Sequence, residues 1–310
     1  MAWYSLKRSS SPPAGGAAVL AAGPALLAGR YRLGTRLGEG AAAEVVEAVD
    51  LRTGNTVAVK LIHLPADLPV AQRHEWQLRL QREADLARRL VHPDIVAVYE
   101  AGLADGRAFL VMERVRGLDL SRYTQRHLLL PETLVLRIGA RVGSALAHAH
   151  ANGVVHRDLK PANVLVNLAT GQVKLADFGV ARDDEASVTR TGMTLGTPAY
   201  MAPEQLAGAP ASAASDAYAL GVMLFELLSG RRPHQAATLG ELLKATASQA
   251  PTPLAVLRPD LPPTVVAAVE HLLARDPAGR PADLSAWSAQ MAGLSALMAR
   301  VLAPTVAPCL

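Results

Sequence analysis

Two short polar runs hold the side chains best suited to chemistry. The first, VVHRDLKPANVLV at 154–166, sets an imidazole, two cations, a carboxylate and an amide between β-branched flanks that favour burial. Pro161 prevents a regular helix through it, so a loop presents Asp158, Lys160 and Asn163 together. An aspartate can accept a hydroxyl proton, a lysine can neutralise a phosphate, and an amide oxygen can ligate a hard cation. The second run, KLADFGVAR at 174–182, places Asp177 between an apolar strand end and Gly179, as a second oxygen donor for the cation that Asn163 would hold. Either run alone is compatible with a solvated loop. The order and spacing of the two together are not a chance pattern.

Nearer the N-terminus, LGEGAAAEV at 37–45 carries Gly38 and Gly40, which allow close backbone approach to a phosphate. The third glycine of a GxGxxG pattern is replaced by Ala43, and the run lies between two strands rather than before a helix. That argues against a dinucleotide-binding βα turn. In VAVK, Lys60 ends a strand and is suited to sit over phosphates. Glu83, in the charged segment QREADLARRL, is its natural partner, and pairing of Glu83 with Arg79 or Arg82 on its own helix is the alternative.

These residues require particular elements to hold them. From Tyr31 to Leu64 short β-rich runs alternate with Gly-containing turns, and RTGN reads as a hairpin. Pro69–Leu90 is helical and charged. IVAVYEAG and AFLVMERV read as two more strands, and beyond Gly117 the chain is mostly helical. PETLVLRIGARVGSALAHAHANG has apolar spacing near 3.6 and closes on Asn-Gly. ASDAYALGVMLFELLSGRRP is so apolar that it should be a central helix. No repeat is evident. A β-rich part followed by a helical remainder predicts an α+β architecture.

Composition sets outer bounds. The chain has 310 residues, half of them apolar, with aromatics at only 4%, so its cores are built from small and aliphatic side chains. The net charge of +4 is spread along the chain and does not suggest a nucleic-acid footprint. One cysteine, Cys309, rules out a disulfide within the chain and fits a reducing cytosol. The first 29 residues have basic residues ahead of an apolar run, as in a signal peptide. Pro24 and Gly15, Gly16 and Gly23 interrupt that run, so the reading is a flexible leader. No stretch is long enough for a transmembrane helix.

In order and content the motifs LGEGAAAEV, VAVK, the helix glutamate, HRDLKPAN, DFG, GTPAYMAPE and RDPAGRP resemble the bacterial eukaryotic-like (Hanks-type) serine/threonine protein kinases, over roughly Tyr31 to Leu294. The resemblance implies a bilobal protein-kinase-like α+β fold: a small β-rich N-lobe with one main helix at 30–115, a larger, mostly helical C-lobe at 116–294, and a tail at 295–310. It implies ATP as cofactor with Mg²⁺, or Mn²⁺ in its place. Gly38 and Gly40 would lie over the phosphates. Lys60 would contact them and pair with Glu83. Asp158 would be the catalytic base, Lys160 would stabilise the migrating phosphoryl group, and Asn163 and Asp177 would hold the metal. Leu37, Val45, Ala58 and Leu165 would sandwich adenine, with Met112 as gatekeeper and Glu113 to Val115 as the hinge. Glu204 and Arg280 match a structural ion pair, and Asp216 an anchor beneath the catalytic loop.

Lys160 and Thr197 resemble the serine/threonine branch. Ala43 and His234 depart from the family pattern, the first stiffening the phosphate-covering loop and the second affecting only packing. His148 and His150, two residues apart, do not share a helical face and form no metal site. His156 reads as a packed structural residue. Arg157 would pair with a phosphate on the segment Val180–Ala199, which predicts autophosphorylation at Thr189 and Thr191, with Thr194 a weaker site and Arg182 a second cation. Expected partners are proteins bearing serine or threonine and a second copy of the chain, in a cytoplasmic setting without nucleic acid or membrane span. A pseudokinase scaffold and a small-molecule phosphotransferase are the rival functions. Intact Lys60, Asp158 and Asp177 oppose the first, and GTPAYMAPEQ opposes the second.

Overall fold

The computed structural model describes residues 26–40, 43–63, 70–104, 106–178 and 198–302. The leader up to position 25, Arg182, Thr189, Thr191, Thr194, Thr197 and Cys309 lie outside the described residues. Contacts divide the chain into two compact units. One holds the described residues from Leu26 to Arg89 together with those from Val96 to Arg116. The other holds Leu90–Ile95 and the described residues from Gly117 on.

The first unit is built on strands β1 (Leu26–Leu27), β2 (Tyr31–Glu39), β3 (Ala43–Asp50), β4 (Thr56–Ile62), β5 (Val98–Ala104) and β6 (Arg107–Glu113), with one helix, α1 (Val70–Arg88). The strands form an antiparallel sheet in the order β1-β2-β3-β4-β6-β5. Side chains alternate across a sheet, so Val57, Val59 and Leu61 of β4 share one face. They form a core with Tyr31, Val46, Ala48, Phe109 and Val111. Within β4, Val57, Ala58 and Val59 are buried in succession, and Lys60 is the one charged side chain on the strand. A strand covered on both sides reads as a continuous apolar run. β1 falls within the stretch read from sequence as leader; Leu27 is 4% exposed in this core, and its burial is what draws the chain into the sheet from Leu26 onward.

The second unit contains β7 (Leu118–Asp119), α2 (Glu132–Ala151), β8 (Val164–Asn167), β9 (Gln172–Leu175), α3 (Pro203–Leu206), α4 (Ala213–Ser229), α5 (Leu239–Ser248), α6 (Leu254–Leu257), α7 (Pro263–Leu272) and α8 (Leu284–Leu302). Every α4 residue from Ser215 to Ser229 is buried, as its uniformly apolar sequence predicted. The Ser212 hydroxyl caps its N-terminus by accepting from Ser215 N–H, and Gly230 ends it in the left-handed region at φ +69°. Helix α2 packs on α4 through Gly139, where a Cβ would meet Leu224 at 2.8 Å. The small sheet β7-β8-β9 interrupts the helical character expected beyond Gly117. Helix α8 runs through the sequence boundary at 294, because Leu284, Trp287, Met291 and Ser295 keep one stripe buried to that point and beyond. Among the described residues no helix is long and apolar enough to cross a membrane.

Candidate active site

In the sheet unit, cross-strand register gathers several of the expected residues. Lys60 lies opposite Val45 on β3 and Leu110 on β6, Ala58 lies opposite Met112, and Gly38 lies opposite Val45. Directly opposed antiparallel residues point to the same face, as do residues two apart on a strand. Gly38, Val45, Ala58, Lys60 and Met112 therefore share the sheet face opposite the one carrying Val57, Val59 and Leu61. On α1, Glu83 is half-buried at the edge of the buried stripe of Leu80, Ala84 and Ala87, whereas Arg82 is exposed. β6 ends on Glu113, whose N–H donates to Ala97 O at 2.8 Å and whose carboxylate accepts from Ala97 N–H at 3.2 Å. Val115 is 2% exposed, and its carbonyl accepts from the Arg114 guanidinium. Leu37 lies on β2 within the irregular register that precedes Gly38.

In the helical unit, the loop 156–163 is held from below by one carboxylate. Asp216, 2% exposed at the start of α4, accepts from His156 N–H at 2.7 Å and Arg157 N–H at 3.0 Å, and lies 2.8 Å from His150 Nε2. This is the anchor the resemblance implied. The role of His150 in it was not legible from sequence, since the contact joins residues 66 apart. His156 is fully buried, with Nε2 2.9 Å from Ala176 O and Nδ1 accepting from Asp158 N–H at 3.3 Å. A carbonyl at one nitrogen and an N–H at the other require the neutral Nε2–H tautomer. His156 also packs on Phe178, ring centroids 4.7 Å apart.

Above that anchor, Lys160 Nζ donates to Asp158 Oδ2 at 2.8 Å, and Asn163 Nδ2 donates to Asp158 O at 2.7 Å. The Asp158 side chain is 16% exposed and that of Lys160 is 7%. The turn Pro161–Asn163 leads into β8, where Val164 pairs with Leu175 of β9. Ala176 N–H donates to Asn163 O at 2.8 Å, so Asn163 and Asp177 both lie just past the paired ends of two neighbouring strands. Leu165, 4% exposed, follows on β8. Arg157 at φ +69° and Asp177 at φ +64° are in the left-handed region without being glycine. Such backbone costs about 1–3 kcal/mol and persists where surrounding bonds fix it, as the Asp216 carboxylate does for Arg157.

Among the described residues two buried side-chain atoms are unsatisfied, and one of them, His148 Nε2, lies outside this loop. Asn163 Oδ1 is buried and has no hydrogen-bond partner. A buried orphan carbonyl oxygen costs about 1–3 kcal/mol unless something occupies its lone pairs. A hard cation is the natural occupant, with the Asp177 carboxylate as the neighbouring oxygen donor. Among the described residues no group of three or more His, Cys, Asp or Glu side chains gathers. An amide oxygen and a carboxylate are hard donors and fit a divalent cation that keeps positions open for water or phosphate oxygens.

Farther from the loop, the Glu204–Arg280 pair is bidentate at 2.6 and 2.8 Å, with the Arg280 side chain fully buried. Arg280 also donates to Ala214 O and Ala274 O and lies over the Tyr218 ring. Burial pushes the Tyr218 hydroxyl up to about 12.

The protein kinase domain family matches residues 31–291 of the chain. The chain belongs to the protein kinase family. "Serine/threonine-protein kinase PknA" of Mycobacterium tuberculosis is 42% identical over 260 residues, 82% of this chain and 58% of that protein. "Probable serine/threonine-protein kinase pknA2" of Bifidobacterium longum is 37% identical over 273 residues, 87% of this chain and 36% of that protein. The kinase thus spans between about a third and three fifths of the length of these curated relatives. The crystal structure of a point mutant of the Mycobacterium tuberculosis PknI kinase domain matches with a TM-score of 0.67 at 31% identity, covering 90% of this kinase and all of that chain. The structure of Rad53 1–466 in complex with AMP-PNP matches with a TM-score of 0.69 at 26% identity, covering 84% of this kinase and 64% of that chain. The α+β fold expected from sequence, a β-rich N-lobe with one main helix and a helical C-lobe, is that of these kinase domains.

Proposed function

We propose that this kinase transfers the γ-phosphoryl group of ATP to serine and threonine hydroxyls of protein substrates. The observation that carries the reading is the Asn163 Oδ1 atom, buried and unpartnered, beside an Asp158 carboxylate held by Lys160. Bound Mg²⁺ would neutralise charge on the phosphates, with Asn163 and Asp177 as its protein donors. Lys60, supported by Glu83, would bind the α- and β-phosphates. Val45, Ala58, Met112 and Leu165, with Leu37, would form the apolar adenine site, and Glu113 to Val115 its hydrogen-bonding edge. Gly38 and Gly40 would cover the phosphates. Asp158 orients the substrate hydroxyl and accepts its proton as the hydroxyl oxygen bonds to phosphorus. The bond from phosphorus to the β–γ bridging oxygen breaks, and ADP leaves. Lys160 balances charge on the migrating group.

A protein substrate is favoured over a small molecule by the GTPAYMAPEQ segment, whose described part, from Pro198, lies beside Asp158. The division of the lobes near 116, the cytoplasmic setting, transient pairing of two copies for autophosphorylation, and Mn²⁺ as substitute metal belong to the same reading. The experiment is phosphate transfer from labelled ATP to a protein panel, wild type beside Asp158→Ala. Transfer should fall by at least about a thousandfold in the variant, the loss of a positioned base and orienting group together. Nucleotide affinity should change little. Phosphorylation retained by Asp158→Ala defeats the base assignment, and wild type inert toward every protein favours a scaffold.

A further inference from the structure

A second polar cavity lies in the helical unit, where α4 ends and the chain turns toward α5. Its volume is about 160 Å³, and its lining includes Glu226, Arg231, Arg232, His234 and Leu242. The one carboxylate in that lining is already engaged. Glu226, 7% exposed, accepts from the Tyr200 hydroxyl and from Arg232 Nε at 3.1 Å. The Arg232 guanidinium also lies 5.4 Å from the centre of the Tyr200 ring. Arg232 therefore cancels the charge of Glu226, and the positive charge of Arg231 is left over. Neither the Arg231 nor the His234 side chain has a hydrogen-bond partner among the described residues. Burial holds His234 below the ordinary imidazole range, so at neutral pH it offers an N–H donor and not a second charge.

The loop carrying these donors is fixed in advance. Gly230 turns it at φ +69°, and a Cβ there would meet Arg126 Cγ at 2.7 Å. Ser229 Oγ accepts from Arg231 N–H at 3.2 Å, Gln235 Nε2 donates to Arg232 O at 2.9 Å, and Thr252 N–H donates to Pro233 O at 3.0 Å. A pinned backbone removes the loop's share of the ordering cost of binding an anion and leaves that of the exposed Arg231 side chain.

Tyr200 joins this cavity to the catalytic loop. Its hydroxyl contacts Glu226 on one side, and on the other the same residue lines a smaller cavity with Arg157, Asp158 and Met201. The two cavities therefore lie on either side of one tyrosine, the arrangement needed for one peptide to reach both. We propose that the cavity of Arg231, Arg232 and His234 is a substrate-specificity site that reads an anionic side chain, carboxylate or phosphoryl, a few residues from the acceptor hydroxyl. This rests on the kinase reading above. Glu226 by itself would favour a basic side chain here; the bond from Arg232 removes that option and reverses the sign of the site.

The test uses serine peptides in which one position at a time, from five before to five after the acceptor, is Gln, Glu, phosphoserine or Arg. Wild type is compared with Arg231→Glu and His234→Gln, each checked for an unshifted melting curve. At one or two positions Glu or phosphoserine should raise kcat/KM about tenfold over Gln. Arg231→Glu should bring that ratio to one or below and make Arg the favoured residue, and His234→Gln should reduce it severalfold. A response to phosphoserine alone means that previously phosphorylated proteins are the preferred substrates, and a response to both means acidic segments. The proposal is overturned if no position favours an anion over Gln by more than twofold, or if the ratio is unchanged in both variants. Fluorescence anisotropy of the same peptides gives the ratio independently of transfer. Peptides that bind with the expected preference but are never phosphorylated would count against the kinase reading and leave this site standing.

Discussion

At the scale of single residues, the helical-unit site depends on a few atoms whose partners are accounted for, and one whose partner is missing. Asp216 commits its carboxylate to two backbone N–H groups and an imidazole, which fixes the backbone on which Asp158 stands. Asn163 has its amide nitrogen committed to Asp158 O and its oxygen to nothing. That asymmetry leads to a prediction. Asn163→Ala removes both the Asp158 tether and the proposed metal oxygen, whereas Asn163→Asp keeps an oxygen for the metal and loses the amide donor. The Mg²⁺ concentration for half-maximal transfer should rise by about ten- to a hundredfold in Asn163→Ala, the loss of roughly 1.4–2.8 kcal/mol of cation binding. It should rise less in Asn163→Asp, while kcat falls in both. Initial rates over a Mg²⁺ titration at fixed ATP measure this. An unchanged Mg²⁺ requirement in Asn163→Ala would show that the orphan oxygen serves something other than the metal.

At the scale of elements, legibility followed length and burial. Helix α4 was readable because it is unusually apolar, with Asp216 and Glu226 its only charged residues, and α2 because its spacing is near 3.6. The pair β3–β4 was readable from its turn residues. β7 has two residues and α3 and α6 four each, too few for any period to show; contacts with other elements make them. The site divides in the same way. Asp158, Asn163 and Asp177 were visible because charged groups and a proline stood against apolar strand ends. The bonds joining Tyr200, Glu226 and Arg232 link residues 26 and 6 positions apart, and no local pattern signals them. The segment 179–197 carries the regulatory expectation, and it belongs to the element scale because a phosphate acts by ordering a stretch of chain. Thr189→Ala with Thr191→Ala should lower activity about ten- to a hundredfold, the equivalent of one or two charge-assisted bonds lost from Arg157. Mass spectrometry after incubation with Mg-ATP should find phosphate on Thr189 and Thr191 in the wild type and none at these positions in Asp158→Ala. Full activity in the double variant removes this control mechanism.

At the scale of the whole molecule, the chain holds two cores of different make. One is a sheet core around Tyr31, Val59 and Phe109, and the other a larger helical core centred on α4. Of the residues proposed to contact nucleotide, Lys60, Ala58 and Met112 belong to the first unit and Asn163, Asp177 and Leu165 to the second. A ligand that binds only the folded chain raises its stability by mass action, about 2.7 kcal/mol at a hundred times Kd. At about 2–4 °C per kcal/mol for domains of 150–250 residues, a saturating non-hydrolysable ATP analogue with Mg²⁺ should raise Tm by roughly 5–10 °C. Because the contacts are assigned to both units, Lys60→Met and Asp177→Asn should each remove at least half of that shift. Asp158→Ala, which touches the hydroxyl and not the nucleotide, should keep nearly all of it. A full shift in Lys60→Met would mean that the nucleotide does not use the sheet face that β4 presents, and the assignment of Val45, Ala58 and Met112 on that face would fall with it.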